Sequence, residues 1–399
     1  MTLTTAIKSL RTWGLHGALA FARRWPTLYR LQHSDKSHGN PPVRGITLIG
    51  PFSAPSGNAM AMRNFARKLK DAGIPFQTFD MCDHRTIPAK DFSDILTPPH
   101  EFDLGKYDHV IELFTAHAPK SPTRTHALLA FWEFDEGFSY AFPDSVSGTN
   151  LIAMSDYNVD IFRRESPEKT HIFKIPYPLV LEDVPDIKSD KFTVFFNFDY
   201  GSSYYRKNPE AILRAFAIAF THNENVRLVL KTSNEKNHPT TAARLRSLAQ
   251  ELKIENHVEF ISAVLSQDEM NTLFASCDVY ISLHRGEGFG IGMTQAMALG
   301  KPVIASDCTA NTEFCKESTS ILIPCTPTKV KPNELDNPAY RKVTEWAEPD
   351  INAAASALKT LYANAKLRDT IGRNAQVFIR EHFSLEHFKN AVNAFLDAK

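Results

Sequence analysis

Short apolar runs, each followed by a loop of small or polar residues and then by a helix-forming stretch, recur along most of this chain. GITLIGPF at residues 45–52 leads into SAPSGNAMAMRNFARKLKDAG, and FTVFFNFD at residues 192–199 leads, after a loop, into NPEAILRAFAIAF. Strands that are buried on both faces have such continuous apolar runs, and helices connect them in parallel sheets. The alternation therefore predicts an α/β fold with parallel sheets covered by helices.

The length of 399 residues exceeds what one hydrophobic core usually supports, so two such domains in series are expected. HIFKIPYPLVLEDVPDIKSDK at residues 171–191 is rich in proline and charge, which indicates a linker between them. From WAEPD at residues 346–350 onward, the pattern predicts helices only. The expected parts are a basic amphipathic extension at 1–40, an acceptor-side Rossmann-like domain at 41–180, a nucleotide-sugar-binding Rossmann-like domain at 181–375, and C-terminal helices at 376–399, whose packing back on the first domain stays open.

Composition excludes several classes of protein. Lys+Arg and Asp+Glu are equal at 45 each, so no nucleic acid partner is expected. The five cysteines include no C-x-x-C pair, which favours a reducing cytoplasm over a zinc site or a disulfide framework. No acidic residue precedes Asp35, and tryptophan and leucine lie between the basic residues of the amino end. Residues 1–34 are interpreted either as a peripheral contact with the inner face of the cytoplasmic membrane or as an extension packed on the protein.

Polar residues follow several predicted strands of the second half, and ligands bind beyond the carboxyl ends of strands in open parallel sheets. The loops DYGSSYYRKN, KT, HRGEGFG and SDCTANTE at these strand ends carry Arg206, Lys207, Lys231, Glu287, Asn311 and Glu313. Three cations are more than a neutral ligand requires. The strand ends therefore predict an anionic ligand.

A glycine-rich turn within GEGFGIGMTQAMALG at residues 286–300 precedes a helix that is expected to begin near Phe289 or Gly290. The free N–H groups of a helix N-terminus attract phosphate, and glycines such as Gly288 let a ligand approach the backbone. Glu287 would repel a phosphate but suits several hydroxyl groups at once. Together these features predict a nucleoside-diphosphate sugar.

EGFGIGMTQAMALGKPVIAS, with RKNP upstream, resembles the nucleotide-sugar-binding domain of retaining glycosyltransferases of family 4. FNFDYGSSYYRKNPEAILRAF, SLHRGEGFG, HALLAFWEFDE and WAEPD are similar to the bacterial subgroup that assembles O-antigen and other polysaccharides. The resemblance implies the GT-B fold, in which two Rossmann-like domains face each other across a cleft. It also implies metal-independent, cofactor-free transfer of a hexosyl group, such as mannosyl, to a saccharide or lipid-linked glycan in lipopolysaccharide or other cell-surface polysaccharide synthesis.

The same resemblance implies roles for individual residues. The first glutamate of an E-x7-E pattern contacts the donor sugar in that family and would be Glu287, whereas Gln295 stands where the family has a ribose-binding glutamate. A glutamine keeps one acceptor but loses the charge, so weakened donor binding is expected. The diphosphate-binding pair would be Lys207 with either Arg206 or Lys231, which would stabilise charge on the leaving diphosphate.

In the first half, Gly57 and Asn58 in GPFSAPSGNA resemble the loop that approaches donor phosphate and acceptor. His117 in TAHAP is a candidate catalytic residue, and Glu133 in FWEFD is a candidate substrate-binding residue at the cleft. Trp132 is expected in the core.

Two alternatives are weighed against the enzyme. A catalytically silent GT-B protein that binds sugar nucleotide or a partner is suggested by Gln295 alone. A Rossmann oxidoreductase is disfavoured because no G-x-G-x-x-G follows the first strand.

Overall fold

The computed structural model describes residues 27, 29–36, 41–82, 91–114, 124–142, 150–180, 184, 187, 189–220 and 225–398. The first domain is built on a six-stranded parallel sheet with the order β2-β1-β3-β4-β5-β6. Its strands are β1 Val43–Gly50, β2 Phe76–Asp80, β3 Tyr107–Leu113, β4 Thr125–Leu129, β5 Asn150–Ala153 and β6 Ile172–Lys174. Helices α1 Gly57–Asp71, α2 Phe138–Ala141 and α3 Asp156–Glu165 belong to the same domain. The apolar runs predicted as strands supply its core.

The second domain has a parallel sheet with the order β12-β11-β10-β7-β8-β9, which is the arrangement of a Rossmann fold. Its strands are β7 Phe192–Asp199, β8 Val226–Ser233, β9 Val258–Ile261, β10 Val279–Ser282, β11 Val303–Ser306 and β12 Ser320–Ile323. Its helices are α4 Tyr204–Lys207, α5 Pro209–Ala219, α6 Pro239–Glu251, α7 Gln267–Ser276 and α8 Ile291–Ala298. The strand order reverses between β7 and β10, so their carboxyl ends mark the expected ligand crevice.

Local signals explain where several helices begin. Ser56 caps α1 by accepting a hydrogen bond from the N–H of Ala59. Ser266 and Glu269 form the capping box that opens α7. Helix α8 begins after Gly290, whose φ of 104° is a conformation that residues with a side chain rarely adopt. The predicted helix start in this glycine-rich stretch is thus confirmed.

Beyond β12, a two-stranded antiparallel hairpin precedes the C-terminal helices. It consists of β13 Cys325–Lys329 and β14 Glu345–Pro349, and we call residues 325–349 the arm. The expectation of helices only from WAEPD onward was wrong, because these residues pair with β13. Strand β6 likewise lies inside the segment interpreted as a linker, where it pairs with β5.

The C-terminal helices are α9 Ile351–Ala363, α10 Ala365–His382 and α11 Leu385–Asp397. Helix α11 lies on the first domain, where Phe388 contacts Phe65 of α1 with a ring centroid distance of 5.2 Å. Asp397 also forms an ion pair of 2.6 Å with Arg44. The chain therefore crosses back to its first domain, and the boundary expected at residue 375 falls inside α10.

Of the amino-terminal residues 1–34, the structure describes 27 and 29–34. Leu31 is fully buried in a cluster with Ile49, Phe102 and Val110 of the first domain. This part of the segment therefore packs on the protein. No helix in the described part of the chain is long and apolar enough to cross a membrane.

Candidate active site

A cavity of about 640 Å³ lies between the two domains. Residues at the ends of β7, β8 and β10 line it from one side, and the loop before α1 and the segment after β4 line it from the other. The predicted site residues that line it are Gly57, Asn58, Glu133, Arg206, Lys207, Lys231, Glu287, Gly288, Phe289, Gly290 and Gln295. His117 lies outside the described residues.

Lys207 and Glu287 form a tight ion pair in this cavity. The Lys207 Nζ lies 2.5 Å from the Glu287 Oε2, and both side chains are largely buried. Burial alone would raise the pKa of Glu287, but Lys207 and Arg206 outweigh it and lower this pKa to about 2. Burial and the neighbouring Arg206 lower the pKa of Lys207, which Glu287 opposes. The Glu287 carboxylate is therefore ionised at neutral pH.

Arg206 is held deep in the protein, with only 1% of its surface exposed. Its guanidinium donates to the carbonyl oxygens of Gly286 and Ser202, at 2.9 and 2.8 Å. It also lies 3.5 Å from the carboxylates of Glu133 and Glu287. Burial alone would lower the pKa of Arg206, but Tyr340 and the two carboxylates raise it overall. Arg206 therefore bridges protein groups, and few of its N–H groups are left for a ligand.

Lys231, at the end of β8, has a different environment from Arg206. Its Nζ donates to the carbonyl oxygen of Thr232 at 2.8 Å and lies 3.5 Å from the hydroxyl of Ser233. Burial lowers the pKa of Lys231, and Asp199 opposes this shift. Within the described residues Lys231 forms no ion pair, and it lines the cavity. It is thus better placed than Arg206 to pair with Lys207 on an anion.

The glycines of the turn before α8 serve the contact between domains. A Cβ on Gly286 would lie 2.5 Å from the carbonyl oxygen of Glu133, and one on Gly288 would lie 3.1 Å from the Cβ of Phe131. Gly288 lines the cavity, but the first domain fills the space that its missing side chain leaves. We call this contact, residues 286–288 against residues 131–134, the seam.

Gln295 lies on α8, facing the first domain. Its Nε2 is 3.5 Å from the Sδ of Met60 on α1, and both residues line the cavity. A carboxylate in this place would add a negative charge beside a thioether. The neutral amide leaves this end of the cavity without the acidic group that the resemblance implies.

Asn311 and Glu313 do not line the cavity. Asn311 is fully buried and holds the ring of His284, whose Nε2 is 3.0 Å from the Asn311 Oδ1. Glu313 accepts a bond of 2.6 Å from the Lys174 Nζ and one of 2.9 Å from the Asp156 N–H. Both partners belong to the first domain. These two residues point away from the crevice because they follow the short loop after β11 into a 3₁₀ turn that contacts the neighbouring domain.

Several lining residues were not anticipated from the sequence. Phe114 follows β3 with a φ of 64°, and its ring stacks on Phe142 at a centroid distance of 5.5 Å. Tyr340 comes from the arm, and its ring packs edge-on against Phe134, the residue after Glu133, at a centroid distance of 4.8 Å. The rule that strand ends face ligands could have found Phe114, whereas no local signal indicates Tyr340. Trp132 is buried, as expected for a core residue.

The described residues contain no group of three or more His, Cys, Asp or Glu side chains that could hold a metal ion. What the cavity does contain is two lysines, the N-terminus of an eight-residue helix and an ionised carboxylate. This arrangement can bind an anion and accept hydrogen bonds from hydroxyl groups beside it.

Comparison with known proteins agrees with this geometry. Residues 183–329 match the family model of glycosyl transferases group 1. Over 64 residues the chain is 41% identical to a GDP-Man:Man(3)GlcNAc(2)-PP-Dol alpha-1,2-mannosyltransferase of Dictyostelium discoideum, covering 16% of this chain and 12% of the relative. Over 158 residues it is 27% identical to an alpha-monoglucosyldiacylglycerol synthase of Streptococcus pneumoniae, covering 38% of this chain and 34% of the relative. The matches thus span about a third or less of these relatives.

The fold is shared with solved structures at low sequence identity. HepE of Anabaena, solved in complex with UDP and glucose, superposes with a TM-score of 0.59 at 15% identity, over 89% of this chain and 99% of that one. The expected architecture of two facing Rossmann-like domains is confirmed. The chain has the GT-B fold, and its second domain matches the group 1 glycosyl transferases.

Proposed function

We propose that this protein is a retaining, metal-independent glycosyltransferase that moves a hexosyl group from a nucleoside-diphosphate sugar to a saccharide or lipid-linked glycan. One observation carries the proposal: Lys207, Lys231 and the N-terminus of α8 line one cavity with the ionised Glu287. The lysines and the helix end suit a diphosphate, and the carboxylate suits the hydroxyl groups of the attached sugar.

The reaction proposed for this site is substitution at the anomeric carbon of the donor sugar. The acceptor oxygen forms a bond to that carbon while the bond to the diphosphate oxygen breaks on the same face, and the hydroxyl proton leaves with the diphosphate. Lys207 and Lys231 would stabilise the negative charge that develops on the leaving group. Because the ion pair with Glu287 holds Lys207 in place, the cation is oriented before the donor arrives.

The closed seam would support transfer over hydrolysis. The turn at Gly286 and Gly288 lies directly on the segment at Phe131–Phe134, so the cavity is shielded where the two domains meet. Exclusion of water lets an acceptor hydroxyl compete for the reacting carbon.

The proposed stereochemistry, donor and membrane contact are supported by different observations. The resemblance to family 4 motifs supports retention and a role in cell-surface polysaccharide or lipopolysaccharide synthesis. The two relatives named above act with mannosyl and glucosyl groups, and HepE was solved with UDP, so GDP- and UDP-linked hexoses are the first donors to test. The basic, tryptophan-containing amino end supports peripheral contact with the inner face of the cytoplasmic membrane.

The test is release of nucleoside diphosphate from a panel of UDP- and GDP-hexoses, with lipid-linked and polysaccharide acceptors present. The wild type should consume at least one donor, and Glu287→Ala should lose most of this activity. Glu259→Ala, which removes an exposed glutamate on β9, is the matched control and should behave like the wild type. If the wild type consumes no donor, the enzyme proposal fails.

The same experiment decides the second candidate, a catalytically silent protein that binds sugar nucleotides. The neutral Gln295 beside Met60 favours it, because the ribose-binding acid implied by the resemblance is missing. Binding of UDP or GDP without release from any donor would support this candidate.

A further inference from the structure

The arm at residues 325–349 begins and ends in the second domain, yet its tip lies on the first. The N–H and hydroxyl of Thr344 donate to the Glu136 Oε1 at 2.6 and 2.7 Å. The Lys342 Nζ lies 5.6 Å from the ring centre of Tyr140. The family match ends at residue 329, so β13 lies inside it and residues 330–349 of the arm lie beyond it.

Tyr340 is the arm residue that reaches the cavity. Its ring packs edge-on against Trp132 and Phe134, at centroid distances of 5.6 and 4.8 Å. Burial raises the pKa of its hydroxyl, and the neighbouring carboxylate of Glu133 raises it further. The arm is thus anchored so that the phenol of Tyr340 lies beside the carboxylate of Glu133.

Arg206 holds the same carboxylate from the second domain. Its Nη2 lies 3.5 Å from the Glu133 Oε1, and the guanidinium is itself fixed by bonds to Gly286 and Ser202. Glu133 lies on the first domain, in the segment after β4, where Asn158 accepts from and donates to the backbone of Trp132 at 3.2 and 2.7 Å. Two residues of one domain therefore orient a carboxylate of the other.

The wall around Glu133 has the chemistry that sugars require. Phe114, Phe131 and Phe142 line the cavity on the same side as Glu133, and Asn337 lines it from the arm. A carboxylate and an amide bind hydroxyl groups, and aromatic rings pack against the apolar face of a pyranose. An acyl chain would gain nothing from a carboxylate at this point, because burying a charge beside it is costly.

We propose that Glu133 binds a hydroxyl group of the acceptor saccharide, and that Tyr340 and Arg206 are positioning residues that hold its carboxylate at the cavity. This inference rests on the proposed function. The acceptor subsite then takes residues from both domains.

The experiment compares Glu133→Gln and Tyr340→Phe with Thr344→Val. The tyrosine and threonine variants each remove one hydroxyl that contacts a first-domain glutamate, but only Tyr340 lines the cavity. Saturation-transfer NMR measures contact with methyl α-D-mannopyranoside and methyl α-D-glucopyranoside, with and without UDP or GDP. Titration calorimetry measures the affinity for UDP and GDP in the same variants.

We expect the saccharide affinity to fall at least about tenfold in Glu133→Gln and Tyr340→Phe, which corresponds to about 1.4 kcal/mol. Thr344→Val should keep it, and nucleotide affinity should stay within about twofold in all three. Loss of nucleotide affinity with saccharide contact intact would overturn the proposal, as would equal losses in Thr344→Val or the absence of saccharide contact in the wild type. If the wild type binds neither nucleotide, the proposed function fails, while the nucleotide-free saccharide signals still decide the role of Glu133.

Discussion

Gly286→Ala tests whether the glycine-rich turn serves the seam between the domains. The new Cβ would lie 2.5 Å from the carbonyl oxygen of Glu133 and 2.8 Å from the Cε1 of Phe134. Because Cβ contacts below 3.0 Å are essentially never seen, the two backbones must separate by at least 0.5 Å at this point. The neighbour is a backbone carbonyl, which cannot rotate away as a flexible side chain could.

Overpacking of this kind typically costs about 1–3 kcal/mol. If the whole cost falls on the contact between the domains, the ratio of closed to open molecules falls about fivefold to about 150-fold. We therefore expect kcat/KM for nucleoside diphosphate release to fall about fivefold or more. Hydrogen exchange at residues 131–134 should speed up at the same time, since the seam protects them.

Gly50→Ala is the matched control. Its Cβ would also be tight, at 3.0 Å, but the contacts are with the flexible side chain of Met62 inside the first domain. It should leave kcat/KM and exchange at the seam close to the wild type. Wild-type activity in Gly286→Ala would refute the reasoning. Lost nucleotide affinity with unchanged exchange at residues 131–134 would instead mean that this glycine makes room for the ligand.

Three further predictions concern other parts of the molecule. Gln295→Glu should tighten UDP or GDP binding about fivefold in calorimetry, because a charge-assisted hydrogen bond gains about 1 kcal/mol over a neutral one; unchanged affinity would mean that the ribose lies elsewhere. The pKa of Glu287 falls from 4.5 to about 2 on folding, so its stabilising contribution is complete above pH 4.5 and is lost towards pH 2. Urea unfolding should show that the gap in stability between the wild type and Glu287→Gln narrows over this range, and a constant gap would contradict the ion pair. Deleting residues 1–26, which keeps the buried Leu31, should reduce sedimentation with anionic vesicles but not activity on a soluble acceptor; full vesicle binding would favour the packed extension.

The sequence predicts the elements of this fold well where local chemistry decides them. Apolar runs such as residues 192–199 become central strands because their side chains are buried on both faces of a sheet. Ser266 with Glu269 opens a helix, and Gly290 ends a turn, because both signals act within a few residues. The rule that ligands lie at strand ends then predicts that Lys207, Lys231 and Glu287 lie near one another, and all three line the cavity.

What the sequence misses depends on neighbours that are distant along the chain. Position 286 requires a glycine because the backbone carbonyl of Glu133 lies against it. No residue near 286 in the sequence indicates this contact. The sequence places Arg206 in a polar loop, where it is expected to be a free cation. In the structure its guanidinium lies 3.5 Å from the carboxylates of Glu133 and Glu287, which belong to separate elements. Glu313 follows a strand of the ligand-binding sheet, yet its carboxylate forms an ion pair with Lys174 of the other domain. The sequence does not predict the two strands of the arm, because β13 and β14 contain proline and charged residues without an alternating apolar pattern.

The most direct test of the account is where the diphosphate of a bound donor lies. A crystal structure with UDP-glucose or GDP-mannose should place the diphosphate oxygens within hydrogen-bonding distance of the Lys207 Nζ and the Lys231 Nζ, in front of the first turn of α8, with the sugar hydroxyls at Glu287. A diphosphate bound away from both lysines, or a nucleotide bound outside this cavity, would contradict the account.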